Sequence, residues 1–352
     1  MIRDVLVCPL NYDHQQRGLL QAFRGIFGDD CATTFDYLEL WRTGACPPDR
    51  INAALVDEAR GHRYGPLRDQ PPDWIWLQLQ ETEIITAETL LRIREARPKT
   101  VITHWTGDMR TEVSPYLASI CKATHATLAS STGQLAAFRA AGAPRAEYLQ
   151  IGLDWEEDVQ GLPAWEPRFR VPDVVFCGNF YGDRFPEGSA ERLGAIRALR
   201  DAGIDVGVVG KGWPADIPVA GECGVKQQHH VYRAAKVALS ISHFSSVANY
   251  YSDRQLIAMA SGTPVVARWV PGMDEEFDCD NDTDDWPCLF YYGNDDLGEL
   301  VDSVRHLLAD PERRKRMGRS GRAVVMRRHT WFHRILSVLP LVEEIQAGLP
   351  VS

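Results

Sequence analysis

Short apolar runs alternate along this chain with longer segments whose apolar residues recur every three or four positions, the pattern of successive parallel βαβ units. Residues 4–10 (DVLVCPL) predict a buried first strand, and residues 17–27 the helix that follows it. Residues 74–79 predict another strand, introduced by the breaker Pro71-Pro72, and Thr86 caps a helix that runs to 96 and ends ahead of Pro98. A strand over 100–103 (TVIT) then delivers His104-Trp105-Thr106-Gly107-Asp108 from its C-terminal end. Ser114 followed by Pro115 is an N-cap with proline at the first helical position, so a helix continues to about Cys121.

Periodicity dissolves over 152–172, a polar stretch holding Pro163, Pro167 and Pro172, and resumes beyond it. Strands are predicted at 174–177 (VVFC), 205–209 and 237–241, with helices at 190–202 and 230–236. Ser252-Asp253-Arg254-Gln255 fits the capping box, serine with glutamine three residues on, and opens a helix that stops at Gly262 before a strand at 264–267. Asp310-Pro311-Glu312 opens a helix rich in Arg and Lys, and Thr330 begins a terminal helix that Pro340 is expected to kink. The expected organisation is an N-terminal α/β domain over 1–152, a linker over 153–171, a second α/β domain over 172–329 and a helix over 330–352 able to cross back to the first domain.

The length of 352 residues fits two domains, and 45% hydrophobic with 24% charged residues excludes bulk disorder. Lys plus Arg total 38 against 48 Asp plus Glu, a net charge of −10, which counts against a sequence-independent nucleic-acid binder. Arg313, Arg314, Lys315, Arg316 and Arg319 still make a local basic face. No apolar run approaches the roughly 18 residues of a membrane span, and Arg3 and Asp4 stand where a signal peptide would be apolar, so a cytoplasmic protein is expected. Eight cysteines are scattered without a Cys-x-x-Cys pair, and they read as buried or free thiols.

In open parallel sheets ligands bind beyond the carboxyl ends of the strands. In the second half those loops are Gly178-Asn179-Phe180-Tyr181, Gly210-Lys211-Gly212-Trp213 and Ser242-His243-Phe244-Ser245. Their glycines allow backbone N–H groups to approach a phosphate, and Lys211 supplies a charge to neutralise one; equally, glycines after strands serve only to turn the chain. The helix start at Ser252 and Asp253, with Arg254 in its first turn, offers a seat for a diphosphate or merely a cap. Neither Gly-x-Gly-x-x-Gly after the first strand nor a Walker sequence is present. Asp278, Asp280, Asp282 and Asp284 alternate as in a calcium loop, but Thr283 and Leu289 stand where that loop needs glycine and glutamate, so a solvated acidic loop is expected. The ten histidines suggest no metal site; His329 and His333 read as helix-end packing.

The run Tyr251-Ser252-Asp253-Arg254-Gln255-Leu256-Ile257-Ala258-Met259-Ala260-Ser261-Gly262-Thr263-Pro264-Val265-Val266 resembles the donor-site helix of GT-B glycosyltransferases, above all the group related to spore-maturation protein CgeB. Val175-Phe176-Cys177-Gly178-Asn179, Val209-Gly210-Lys211-Gly212-Trp213, the closing His329-Thr330-Trp331-Phe332-His333-Arg334 and, in the first half, Trp105-Thr106-Gly107-Asp108 look like further signatures of that group. One departure concerns two carboxylates. Where the group's helix has a ribose-binding glutamate this chain has Ile257, and the earlier glutamate of the broader paired motif falls on Asn249.

The resemblance implies an α/β protein of GT-B architecture, two doubly wound Rossmann-like domains facing across a cleft. It implies transfer of a sugar from a nucleotide-diphosphate donor, expected to be a UDP-sugar, to a hydroxyl acceptor, with no tightly bound cofactor and no metal. Gly178, Asn179, Gly210, Lys211, Gly212, Trp213, His243, Ser252, Asp253 and Arg254 would bind the donor. A general base would come from Asp108, then His14 or His104. Two rival readings remain: a degenerate GT-B module that binds a nucleotide or a partner, and a phage-type enzyme glycosylating a DNA base, which the net charge disfavours.

Overall fold

The computed structural model describes residues 1–10, 17–61, 70–154, 165–277, 287–293 and 296–350. They form two compact α/β units, one from Met1–Ile151 with Trp331–Ser352, the other from Gly152–Thr330. Of the expected linker, residues 155–164 lie outside the described residues, as do His14 and the alternating aspartates at 278–284. No described helix is long and apolar enough to cross a membrane.

The first unit runs β1 (Val5–Cys8), α1 (Arg17–Phe27), β2 (Ala32–Thr34), α2 (Tyr37–Arg42), α3 (Pro48–Ala59), β3 (Trp74–Leu77), α4 (Ala87–Ala96), β4 (Val101–Thr106), α5 (Pro115–Ala123), β5 (Ala126–Ala129), α6 (Leu135–Ala140) and β6 (Ala146–Tyr148). Its six strands are parallel in the order β2-β1-β3-β4-β5-β6. Thr86 and Ser114 cap α4 and α5 as expected, each side chain accepting from the backbone N–H three residues on.

Both faces of this sheet are covered, so alternate residues of one strand enter different cores. Leu6, Ile75 and Leu77 pack with Tyr37, Leu55 and Leu90 on one side. Val5, Val7, Trp74, Trp76 and Trp105 pack on the other against Leu19 and Phe23 of α1. The terminal helix, Trp331–Gly348, belongs to this second core. Trp331 meets Trp105 edge-on at a ring distance of 5.1 Å, and Trp105 stacks on Trp76 at 6.3 Å. The helix continues through Pro340, so the expected kink does not divide it.

The second unit runs β7 (Val174–Cys177), α7 (Pro186–Asp201), β8 (Val206–Val209), β9 (Val219–Gly221), α8 (Gln228–Ala234), β10 (Val237–Ser240), α9 (Asp253–Ala260), β11 (Val265–Arg268), α10 (Met273–Glu276), β12 (Phe290–Tyr292), α11 (Leu297–Ala309) and α12 (Pro311–Arg328). The terminal helix of the first unit is named α13. The sheet is again parallel, in the order β12-β11-β10-β7-β8-β9. Chain direction across it reverses between β7 and β10, the topological switch point where a doubly wound sheet opens a crevice beyond its carboxyl ends.

Two local expectations change. β4 runs three residues past Thr103, so His104 is a strand residue, fully buried, and not part of a loop. The strand continues because parallel strands covered on both faces take any side chain that packs, and the apolar flanks of Trp105 reward the extension. The capping box at α9 does not form. Gln255 is buried and its Oε1 accepts from Ser240 Oγ of β10 at 2.9 Å, leaving the end of α9 to its own carboxylate.

Candidate functional site at the carboxyl ends of β7, β8 and β10

At the ends of β7 and β8 two loops are tied together by their backbones. Gly178 N–H donates to Val209 O at 2.9 Å and Phe180 N–H to Lys211 O at 2.8 Å. Asn179 Oδ1 accepts from Lys211 N–H at 2.9 Å, and Trp213 Nε1 donates to Gly178 O at 2.9 Å. Two glycines are required sterically. Gly210 has φ +152° and a Cβ there would stand 2.3 Å from Gly178 O, while Gly212 has φ +80° and its Cβ would meet Phe180 O at 2.5 Å. The turn-making reading of these glycines is therefore satisfied by the fold itself. Lys211 Nζ is exposed and pairs with Glu222 at 3.0 Å.

The N-terminus of α9 is capped from within. Asp253 Oδ1 accepts from Arg254 N–H at 2.8 Å and from Ser252 Oγ at 2.7 Å, and Ser252 Oγ is a longer acceptor for the same N–H at 3.4 Å. An anion arriving at this helix end competes with Asp253. The Arg254 side chain turns toward β7, its Nε 3.6 Å from where a Cβ on Gly178 would lie. Its guanidinium reaches Asp253 only at 4.0 Å.

Beneath these loops lies a residue that the sequence reading passed over. Arg192 of α7 is completely buried. Its Nε and Nη2 donate to Ile241 O at 3.0 and 2.9 Å, and Nη1 donates to Asn179 O at 3.1 Å and to His243 Nε2 at 2.6 Å. The guanidinium lies over the Phe176 ring, 5.0 Å from its centre. Among the described residues no carboxylate is within ion-pairing distance of it; its neighbour Glu191 accepts instead from Ser245 Oγ, at 2.6 Å. Burial, and then the charge of Arg254, pull the Arg192 pKa down to about 9. Burial, with Arg192 and Arg254 adding to it, pushes His243 down to about 3. The sequence did carry a signal: the buried stripe of α7 is Gly188, Ser189, Arg192, Ala195, Ile196 and Leu199, so an arginine sits in the middle of a core-facing face.

The donor-side residues Gly178, Asn179, Gly210, Lys211, Gly212, Trp213, His243, Ser252, Asp253 and Arg254 thus gather on adjoining loops of one unit. Of the candidate bases, His14 lies outside the described residues, and Asp108 and His104 differ in setting. Asp108 is exposed, 3.8 Å from Arg110 Nη2, and Arg110 also meets Glu81 at 3.1 Å. His104 is fully buried with neither ring nitrogen hydrogen-bonded, and burial, reinforced by Arg110, lowers its pKa to about 3. Such a group cannot reach a substrate hydroxyl, so the expectation of His104 as a loop base is corrected. Trp105 and Gly107, read as part of a signature loop, serve packing: Trp105 Nε1 donates to Leu149 O at 2.8 Å, and a Cβ on Gly107 would lie 2.4 Å from the indole. Ile257 is buried in α9, and Asn249, at φ +56°, donates from Nδ2 to Gly272 O at 3.2 Å. His329 stacks on Phe277 at 4.8 Å, 3.6 Å from Glu276. Among the described residues no three His, Cys, Asp or Glu converge to hold a metal ion.

This pair of Rossmann-like units on one chain is the GT-B fold. Residues 192–339, most of the second unit and the start of α13, match the glycosyl transferase-like protein family. No curated protein sequence matches significantly. Among solved structures the chain resembles a glycosyltransferase from Rickettsia africae, with a TM-score of 0.60, 11% identity and 99% of each chain covered. It resembles HepE of Anabaena in complex with UDP and glucose, with a TM-score of 0.58 and 13% identity over 98% of this chain and 100% of that one. Sucrose-phosphate synthase from Thermosynechococcus elongatus aligns with a TM-score of 0.54 and 16% identity, over 98% and 100% of the two chains.

Proposed function

We propose that this chain is a glycosyltransferase that moves a sugar from a nucleoside-diphosphate donor to a hydroxyl acceptor, of the group related to CgeB, with the donor held by the second unit. The observation that carries the reading is the cationic set at the switch point: Arg254 over the end of β7, and the buried Arg192 beside a neutral His243, with no carboxylate paired to Arg192. A buried guanidinium without a counter-charge is costly, and a diphosphate held by Arg254 and the loops above offsets that charge through space without touching Arg192. As the glycosidic bond to phosphate breaks, negative charge grows on the leaving oxygen, and fixed cations aimed there stabilise it without reorganisation. Ser252 and Asp253 take part once the carboxylate swings off the end of α9. Solved HepE structures hold UDP and UDP-glucose, which favours a UDP-sugar as donor here. Asp108, exposed on its loop, is the general base of this proposal.

Burial of Ile257, where the related group has a glutamate, favours a second reading, a nucleotide-binding module without turnover. A panel of nucleotide sugars tested for thermal stabilisation, followed by donor hydrolysis without acceptor, separates the two. A selective rise in melting temperature with slow hydrolysis supports the enzyme. Stabilisation without hydrolysis supports the module, and no response to any nucleotide removes both. Because guanidinium groups supply the charge that a divalent ion would otherwise provide, turnover is expected to survive EDTA; loss on chelation, restored by magnesium or manganese, contradicts that expectation.

A further inference from the structure

Arg192 and His243 form a pair whose protonation is dictated by chemistry. A guanidinium has only donors, so in the 2.6 Å contact His243 Nε2 is the acceptor, and the ring proton of a neutral imidazole must sit on Nδ1. That Nδ1 is buried and has no hydrogen-bond partner among the described residues. A buried N–H donor left unpaired calls for a partner, and unlike His104 this one lies in a loop beyond the carboxyl end of a strand, beside two cations. The loop carrying His243 follows β10 at the switch point, beside Arg254. The ring lies 5.3 Å from Tyr181, itself 44% exposed, and 4.7 Å from Phe185. A Cβ on Gly188 would stand 2.5 Å from the backbone of His243, so α7 also fixes the loop itself.

We propose that Arg192 is a positioning residue that locks His243 as a neutral Nδ1–H donor to a diphosphate oxygen of the nucleotide ligand. Arg192 touches no ligand; it holds the carbonyls of Asn179 and Ile241 and thereby sets both loops around the donor. This rests on the nucleotide-binding reading above. The charged and titratable groups facing His243 are Arg192 from α7, Arg254 from α9 and Tyr181 from the loop after β7. Glu191 of α7 is held by Ser245, and Tyr250 packs on Phe244. Both nearby cations oppose a proton on His243, so it contributes a hydrogen bond and no change of charge across the working pH range.

The test has one arm without ligand and one with it. In the first, 15N-histidine NMR of the full-length chain follows His243 from pH 5 to 8. The Nδ1–H form throughout is expected, and either the Nε2–H form or protonation above pH 5 overturns the pairing. In Arg192→Met the ring is no longer held as an Nε2 acceptor, so the Nε2–H form is expected to become populated, while burial and Arg254 keep the imidazole neutral. In the second arm UDP-glucose, whose diphosphate does not titrate here, is bound by wild type with equal affinity at pH 5.5 and 8. His243→Phe, which keeps an aromatic ring, is expected to weaken binding at least fivefold at both, and Arg192→Met to weaken it at both as well, since it frees the tautomer of His243 and both loop carbonyls. Normal binding by His243→Phe overturns the proposal. If wild type binds no nucleotide of any base, the functional reading fails, and the donor role fails with it, while the NMR arm still judges the pairing.

Discussion

The two units share an architecture, six parallel strands covered on both faces, but not a strand order, β2-β1-β3-β4-β5-β6 in one and β12-β11-β10-β7-β8-β9 in the other, and their carboxyl ends are finished in opposite ways. In the first unit the arginine near the end of β4, Arg110, is neutralised by Glu81 at 3.1 Å, and the buried polar residue beside it, His104, is left uncharged. In the second, Arg192 is deeper and has carbonyls and an imidazole where a carboxylate would be expected. A compensated charge belongs to the scaffold, whereas an uncompensated buried charge is tolerated where something else provides the counter-ion. The contrast fits the proposal that the second unit binds an anion while the aromatic core of the first serves stability, and substitutions can separate the two.

The largest effect is expected at the indole cluster. Trp331→Ala removes a ring packed on Trp76 and Trp105 and should cost about 3–5 kcal/mol, the usual range for deleting a buried aromatic, read by urea unfolding. Nucleotide affinity of the still-folded variant should stay within about twofold. A loss below about 1 kcal/mol would mean that α13 is held by other contacts.

Arg254→Ala should do the converse. Removing a charge-assisted donor should weaken nucleoside-diphosphate binding by about 1.5–3 kcal/mol, measured by calorimetry, with the unfolding midpoint nearly unchanged. A variant that binds normally or simply unfolds returns Arg254 to a packing role and erases the distinction between the units.

A smaller effect tests the neutral histidine of the first unit. The folded pKa of His104, about 3, lies below its unfolded value, so between the two the unfolded chain holds more protons. Its contribution is complete above the ordinary histidine range and is lost as pH falls toward 3. His104→Leu should therefore reduce the slope of stability against pH between 4 and 6 by up to one proton, on the order of 1 kcal/mol per pH unit. An unchanged slope would show that His104 is not buried neutral.

The periodic parts of this fold are legible in the sequence because the physics behind them is local. α1, β7 and the caps at Thr86 and Ser114 follow from apolar spacing and a side-chain oxygen placed before a helix. The edge strands β2, β6, β9 and β12 carry three residues each and little apolar pattern, so only their partners define them. Gln255 was misread because a capping box and a buried bond to Ser240 need the same residue, and only the neighbouring strand decides between them. In the site, the glycine loops and Arg254 could be read from their place after strands and at a helix start. Arg192 is written as a polar residue in an apolar stripe, but its meaning depends on His243, 51 positions away.

The smallest effect concerns Ile257, and it asks whether the second unit reads the ribose at all. A carboxylate at this point of α9 would accept bonds from ribose hydroxyls, and removing a hydroxyl from the ligand would leave a buried acceptor unpaired. Ile257 has no acceptor, and its side chain is buried in the packing of α9. Asn249, at the position of the earlier glutamate of the paired motif, spends its amide on Gly272 O and shares that turn with the chain after β11. Under the proposed function, recognition should then rest on the diphosphate and be indifferent to the sugar. The ratio of affinities for UDP and dUDP is therefore expected to stay below tenfold, roughly 1.4 kcal/mol, in paired calorimetric titrations. A larger preference for ribose would mean that a backbone group or another side chain has replaced the carboxylate. The loss at Ile257 would then say nothing about donor choice or turnover, and the non-catalytic reading would lose the observation that favours it.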